Sequence, residues 1–164
     1  MNLYDGERGI KLADRLLFAL WRHAQRRPAA LTAGGILMGQ ENISNNYLLI
    51  KWLTGPGEKD EYGRRFFFRL DQHHEAFFNK LYERHKQTVR YVGEWYTQHE
   101  AVPMYTAMDL RNWRRILSEL PDEIESFYHI IVGYKAFRLW RADRQSDLPH
   151  LVTTVYWTHK EKAE

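Results

Sequence analysis

The chain has 164 residues, 44% of them apolar and 15% aromatic, which suits one folded domain spanning 1–164 and not a disordered polymer. Its net charge is only +3, from 24 basic and 21 acidic residues, so charge by itself does not imply nucleic acid. There is no cysteine, which excludes disulfides, thiolate metal sites and a cysteine nucleophile and leaves His, Asp, Glu or weaker oxygen donors for any metal.

The opening stretch MNLYDGERGIKLADR is charged and lacks the apolar core of a signal peptide. The longest apolar run, 16–21, is too short to span a bilayer, so a cytoplasmic protein without membrane contact is expected. Apolar spacing predicts a helix over 13–27, with Leu16, Leu17, Leu20, Trp21 and Ala24 on one face. Arg22, Arg26 and Arg27 suit the negative end of its dipole. Strands are expected over 35–38, 47–53 and 65–70, the last around Phe66, Phe67 and Phe68, with Gly55-Pro56-Gly57 as a turn. A second helix is predicted over 72–86, capped by Asp71, with Phe77, Phe78, Leu81 and Tyr82 on one side. A strand over 91–96, a helix over 107–120 and strands over 127–132, 136–140 and 151–157 complete the chain. Two or three helices among about seven short strands describe an α/β (α+β) domain on a mixed, mostly antiparallel sheet.

The stretch GEWYTQHEAVPMYTAMD, 93–109, carries the most information. Strand alternation turns Glu94, Tyr96 and Gln98 to one side and Trp95 and Thr97 to the other. A loop over 99–105 follows, and then Thr106-x-x-Asp109, a capping-box pattern before a helix striped with Leu110, Trp113, Leu117 and Leu120. His99 faces away from Gln98 unless the strand bulges or ends there. His73 and His74, in a helical first turn, read as solvated or cap-related. His23, His85, His129, His150 and His159 are scattered, with no ligand spacing among them.

This spacing resembles the JAB/MPN (Mov34/PAD-type) zinc isopeptidases, whose motif runs His-x-His, seven residues, Ser-x-x-Asp. In that register Tyr96 and Gln98 stand at the two His positions, Thr106 at the Ser and Asp109 at the Asp. Gly93, Glu94, Trp95 and Thr97 match the Gly-Glu-Trp-His-Thr-His-Pro run of the bacterial branch. Upstream, TAGGILMG keeps Gly34, Gly35, Leu37 and Gly39 of the family's Glu-x-Gly-Gly-x-Leu-x-Gly but has Thr32 where the catalytic Glu belongs.

The resemblance implies a curved, mostly antiparallel sheet flanked by two or three helices. In the family, two imidazoles and the Asp hold zinc, the Glu acts as base on the zinc-bound water, and the Ser stabilises the oxyanion. With both imidazoles and the Glu replaced, the expectation is a pseudoenzyme: no catalytic residue and no metal or other cofactor at the degenerate positions Thr32, Tyr96, Gln98, Thr106 and Asp109. It would act as a binding or scaffolding module in a bacterial ubiquitin-like conjugation or antiphage system. The implied partner is a protein, whether a ubiquitin-like protein, a conjugation enzyme or a second copy of the chain, met through Glu94, His99, Val102, Met104 and Tyr105. The alternative is an active zinc isopeptidase with a rearranged or engineered site drawn from Glu94, Gln98, His99 and Asp109. A third reading, nucleic-acid binding through Arg114, Arg115, Arg141 and Arg144 among tryptophans, is disfavoured because aromatics at regular spacing are usually core.

Overall fold

The structure is a computed structural model that describes residues 1–158; His159 lies outside the described residues. Its frame is an eight-stranded sheet. In chain order these strands are β1 (Asn2–Asp5), β2 (Arg8–Leu12), β3 (Gly34–Asn42), β4 (Tyr47–Leu53), β7 (Val89–Thr97), β8 (Ser126–Val132), β9 (Ala136–Asp143) and β10 (His150–Tyr156), while β5 (Glu61–Tyr62) and β6 (Phe67–Phe68) pair separately. Across the sheet the order is β1-β2-β4-β3-β7-β8-β9-β10. The β2–β4 and β7–β8 pairs are parallel and the others antiparallel. The sheet curves until β1 lies beside β10, and Asp5 of β1 accepts from the Tyr128 hydroxyl at 2.9 Å and pairs with Arg141 of β9.

Three helices cover the sheet: α1 (Asp14–His23), α2 (His73–Arg84) and α3 (Ala107–Glu119). Strand alternation divides the core. Leu37, Val92, Trp95, Tyr128, Ile130 and Val132 pack with Leu16, Leu17 and Leu20 of α1. On the opposite face Phe127 and Ile131 pack with Trp113, Ile116 and Leu117 of α3. Ile36, Met38 and Val89 receive Leu81 of α2. Among the described residues no helix is long and apolar enough to cross a membrane.

Several expectations are corrected. β1 and β2 fall in the charged opening stretch, where no strand is predicted. The two-residue loop between them is Gly6-Glu7, with Gly6 at φ +59, a local hairpin signal flanked by Leu3, Ile10 and Leu12. The first helix ends at His23, not at 27, because buried Gln25 is claimed by tertiary partners. Its Nε2 donates to the Ala30 and Arg64 carbonyls, and its Oε1 accepts from the Thr97 hydroxyl. Arg26 therefore lies beyond the helix, 4.4 Å over the Trp21 ring. The strand expected over 65–70 shrinks to Phe67–Phe68. The second helix stops at Arg84, and Lys86 and Gln87 follow it with positive φ. Asp71 caps from one residue further out, accepting from the His73 N–H at 2.8 Å while Gln72 occupies the N-cap. Phe77 is exposed.

Candidate functional site

Two glycines shape the strands that form the site. Gly93 has φ +156, and a Cβ there would stand 1.6 Å from the Tyr128 carbonyl oxygen, so only glycine lets β7 lie against β8. The β3–β7 register shifts opposite this point, with Leu37 facing Gly93 and Met38 facing Tyr91. Beyond it the alternation runs true. Trp95 and Thr97 turn into the core, where Trp95 Nε1 donates to the Thr54 carbonyl at 2.9 Å. Glu94, Tyr96 and Gln98 turn outward and line a cleft of about 320 Å³ with Thr106, Asp109 and Asn112 of the α3 end, His129 of β8, and Phe66, Phe67 and Phe68 of the β5–β6 excursion.

At the cleft floor Tyr96, Gln98, Asp109 and Thr106 are bonded to one another. Tyr96 Oη donates to Asp109 Oδ2 at 2.8 Å. Gln98 Nε2 donates to Tyr96 Oη at 2.6 Å and to the Met104 carbonyl at 2.8 Å, while Gln98 Oε1 accepts from the Met104 N–H. Asp109 Oδ2 also accepts from the Thr106 N–H and hydroxyl, at 2.6 and 2.9 Å, and the Asp109 N–H donates to Thr106 Oγ1. The capping box is thus complete. Burial first, then the Asp109 carboxylate, hold the Tyr96 phenol far above its ordinary pKa, so it remains a proton donor. Zinc takes imidazole, thiolate or carboxylate donors. An amide and a protonated phenol beside one carboxylate, with their polar atoms already paired, do not fit it.

Thr32 is buried just before β3, and its hydroxyl donates to the Phe66 carbonyl. Glu94 Oε1 accepts from Arg69 Nη2 at 2.9 Å and from the Tyr91 hydroxyl at 3.3 Å. His99 is turned away, its Nδ1 2.8 Å from the Gln25 carbonyl. In the loop, Met104 is 49% exposed, Val102 is half-buried, and Tyr105 turns inward, its ring edge-on to Trp140 with centroids 4.9 Å apart. The arginines of the third reading are engaged within the chain: Arg115 with Glu119, Arg114 with Asp147, Arg141 with Asp5 and Asp143, and Arg144 with the Ile124, Leu120 and Pro121 carbonyls.

Two histidines lie deeper than their sequence surroundings suggest. His129 is buried beside Tyr96 and Trp113, and burial lowers its pKa to about 3; nothing in its sequence surroundings marks it. His74 is not solvated but fully buried, and with His73 and the overlooked Asp60 it forms a set of ligand-competent side chains. The adjacent His pair was the available signal; Asp60 had none, because the fold alone brings it there.

The chain is 30% identical over 115 residues to a CD-NTase/cGAS isopeptidase of Pseudomonas aeruginosa, a match covering 70% of this chain and 71% of that protein. It is 25% identical over 109 residues to a CD-NTase/cGAS isopeptidase of Escherichia coli, covering 66% of this chain and 69% of that one. No protein-family model matches. A solution structure of a Desulfitobacterium hafniense protein shares the fold, with a TM-score of 0.60 at 17% identity, over 87% of this chain and 88% of that one. With 30% identity to the first relative across more than two thirds of both proteins, the chain belongs to the CD-NTase/cGAS isopeptidase family.

Proposed function

We propose that this chain is a catalytically silent member of its family that binds an isopeptide-linked conjugate, or the enzymes of its conjugation system, without cleaving it. The observation that carries this reading is the hydrogen-bonded closure of Tyr96, Gln98, Asp109 and Thr106 across the cleft floor. These residues lack the imidazoles that would hold a metal ion there, and Thr32, tied to the Phe66 carbonyl, supplies no base. The relatives' name, CD-NTase/cGAS isopeptidase, points to a CD-NTase carrying an isopeptide-linked protein as the conjugate to try.

The purified chain is expected to bind such a conjugate and leave it intact, with or without added zinc. Chelator-sensitive cleavage would overturn the reading. Tyr96→His, Gln98→His and Thr32→Glu together should make the chain bind zinc in excess of the parent, since strand parity and loop length already suit a two-imidazole, one-carboxylate site. Tyr96→His alone should not. A folded triple variant that gains no zinc would show that the groups supporting such a site have been lost as well.

A further inference from the structure

Between β4 and α2 the chain leaves the main sheet and returns, and a polar cluster apart from the cleft floor pins the two ends of this excursion. Asp60 and His74 side chains are fully buried, His73 is half-buried, and the ligand-competent atoms of the three lie within 4.8 Å of one another. Hydrogen bonds restrict what each ring can do. His73 Nε2 lies 2.9 Å from the Gly55 carbonyl, which can only accept, so this nitrogen carries a proton. In the neutral ring Nδ1 is then a bare lone pair. It is buried, has no hydrogen-bond partner, and lies 3.3 Å from Asp71 Oδ1. A lone pair facing a carboxylate is repelled unless a proton or a metal cation stands between them.

The second ring completes the set. His74 Nε2 lies 2.8 Å from Asp60 Oδ2, and its Nδ1 lies 2.5 Å from Thr54 Oγ1. Thr54 Oγ1 already accepts from the Ile36 N–H, so in the metal-free ring its hydroxyl serves Nδ1 and Nε2–H serves Asp60. A bound cation would take the place of that proton, with Nδ1–H turned to Thr54 in the arrangement that orients metal-binding imidazoles. Asp60 is aimed by backbone N–H groups: Gly57 donates to Oδ2, and Leu70 and Asp71 donate to Oδ1. Gly57 keeps the space beside His73 open, because a Cβ there would stand 2.4 Å from Nδ1.

We propose that Asp60, His73 and His74 bind a zinc ion. Two imidazoles and a carboxylate without thiolates suit this borderline metal better than magnesium or calcium, which prefer oxygen. Donors on tetrahedral zinc sit about 3.3 Å apart, so the His74–Asp60 pair opens and His73 closes by modest shifts. The ion fastens Asp60 of the excursion to the start of α2 and so holds the segment that carries Phe66, Phe67 and Phe68 onto the cleft. The role is structural.

The test uses the untagged full chain. After dialysis against zinc and then metal-free buffer, elemental analysis should find stoichiometric zinc, and chelation should lower the Tm. His73→Ala, at the least buried of the three positions, should lose both the zinc and the response to chelator, whereas Asp109→Asn in the cleft should keep both. Should His74→Ala or Asp60→Asn fail to fold, His73→Ala still decides the matter. A folded parent with neither zinc nor a zinc-dependent Tm shift would overturn the site, leaving a His73–Asp71 ion pair and a His74–Asp60 hydrogen bond. Zinc that survives His73→Ala would overturn it too, and zinc lost only in Asp109→Asn would instead place metal in the cleft.

Discussion

His129 shows how much one side chain owes to its surroundings. Both ring nitrogens are buried without hydrogen-bond partners. The ring meets Trp113 of α3 at 4.7 Å and Tyr96 of β7 at 5.6 Å between centroids, and Glu94 faces it across the strand pair. Tyr96 is a neutral phenol and the Glu94 carboxylate is taken by Arg69, so burial alone sets the His129 pKa near 3. The unfolded ring titrates near 6.5, so below that pH the unfolded chain takes up a proton that the native ring refuses. Stability is therefore lost as pH falls from about 6.5 toward 3, by up to about 1.4 kcal/mol per pH unit from this group. Urea midpoints measured between about pH 7 and pH 4 should fall less steeply for His129→Phe than for the parent. Equal slopes would mean that the ring is not held neutral.

α3 and the loop that leads into it were legible at the level of the element, since Thr106-x-x-Asp109 forms the capping box and Trp113 and Leu117 are buried. What local pattern did not settle was which loop side chains face out. Met104 stands exposed with its sulfur 3.4 Å from Arg138 Nη1, whereas Tyr105 packs on Trp113 and Trp140. Met104→Asp should leave the Tm nearly unchanged and weaken capture of a conjugate. Tyr105→Asp should destabilise the fold by about 2–4 kcal/mol, because it drives an unpaired charge into an apolar site. Thermal melts alongside binding measurements separate the two. If both variants melt like the parent, the inward packing of Tyr105 is wrong; if Met104→Asp binds like the parent, the loop does not belong to the binding face.

Across the whole molecule, the sheet comes close to closing on itself, and Asp5 stands at the seam. Its side chain is buried and receives the Tyr128 hydroxyl while pairing with Arg141, which keeps part of its surface in water. Asp5→Ala leaves the buried Tyr128 hydroxyl without its acceptor and Arg141 with Asp143 alone. It should cost about 2 kcal/mol, below the range for a sealed ion pair because Arg141 is partly solvated. Urea unfolding measures this, and a loss within error of zero would mean that the seam contributes nothing.

The sequence by itself determined what depends on near neighbours. It placed three helices and most strands by apolar period, the capping box by its spacing, and the outward turn of Glu94, Tyr96 and Gln98 by alternation. It also carried a likeness to isopeptidases, and the 30% identical relative is an isopeptidase by name. Only the tertiary structure decided the rest, because those features join residues far apart in the chain. Gln25 leaves the helix to meet Thr97 and Arg64, Thr32 is tied to Phe66, Asp5 is brought to Arg141, and Asp60 and Thr54 close on His74. A buried polar group must find its partner wherever the fold puts one, and no periodicity in the chain records where that is.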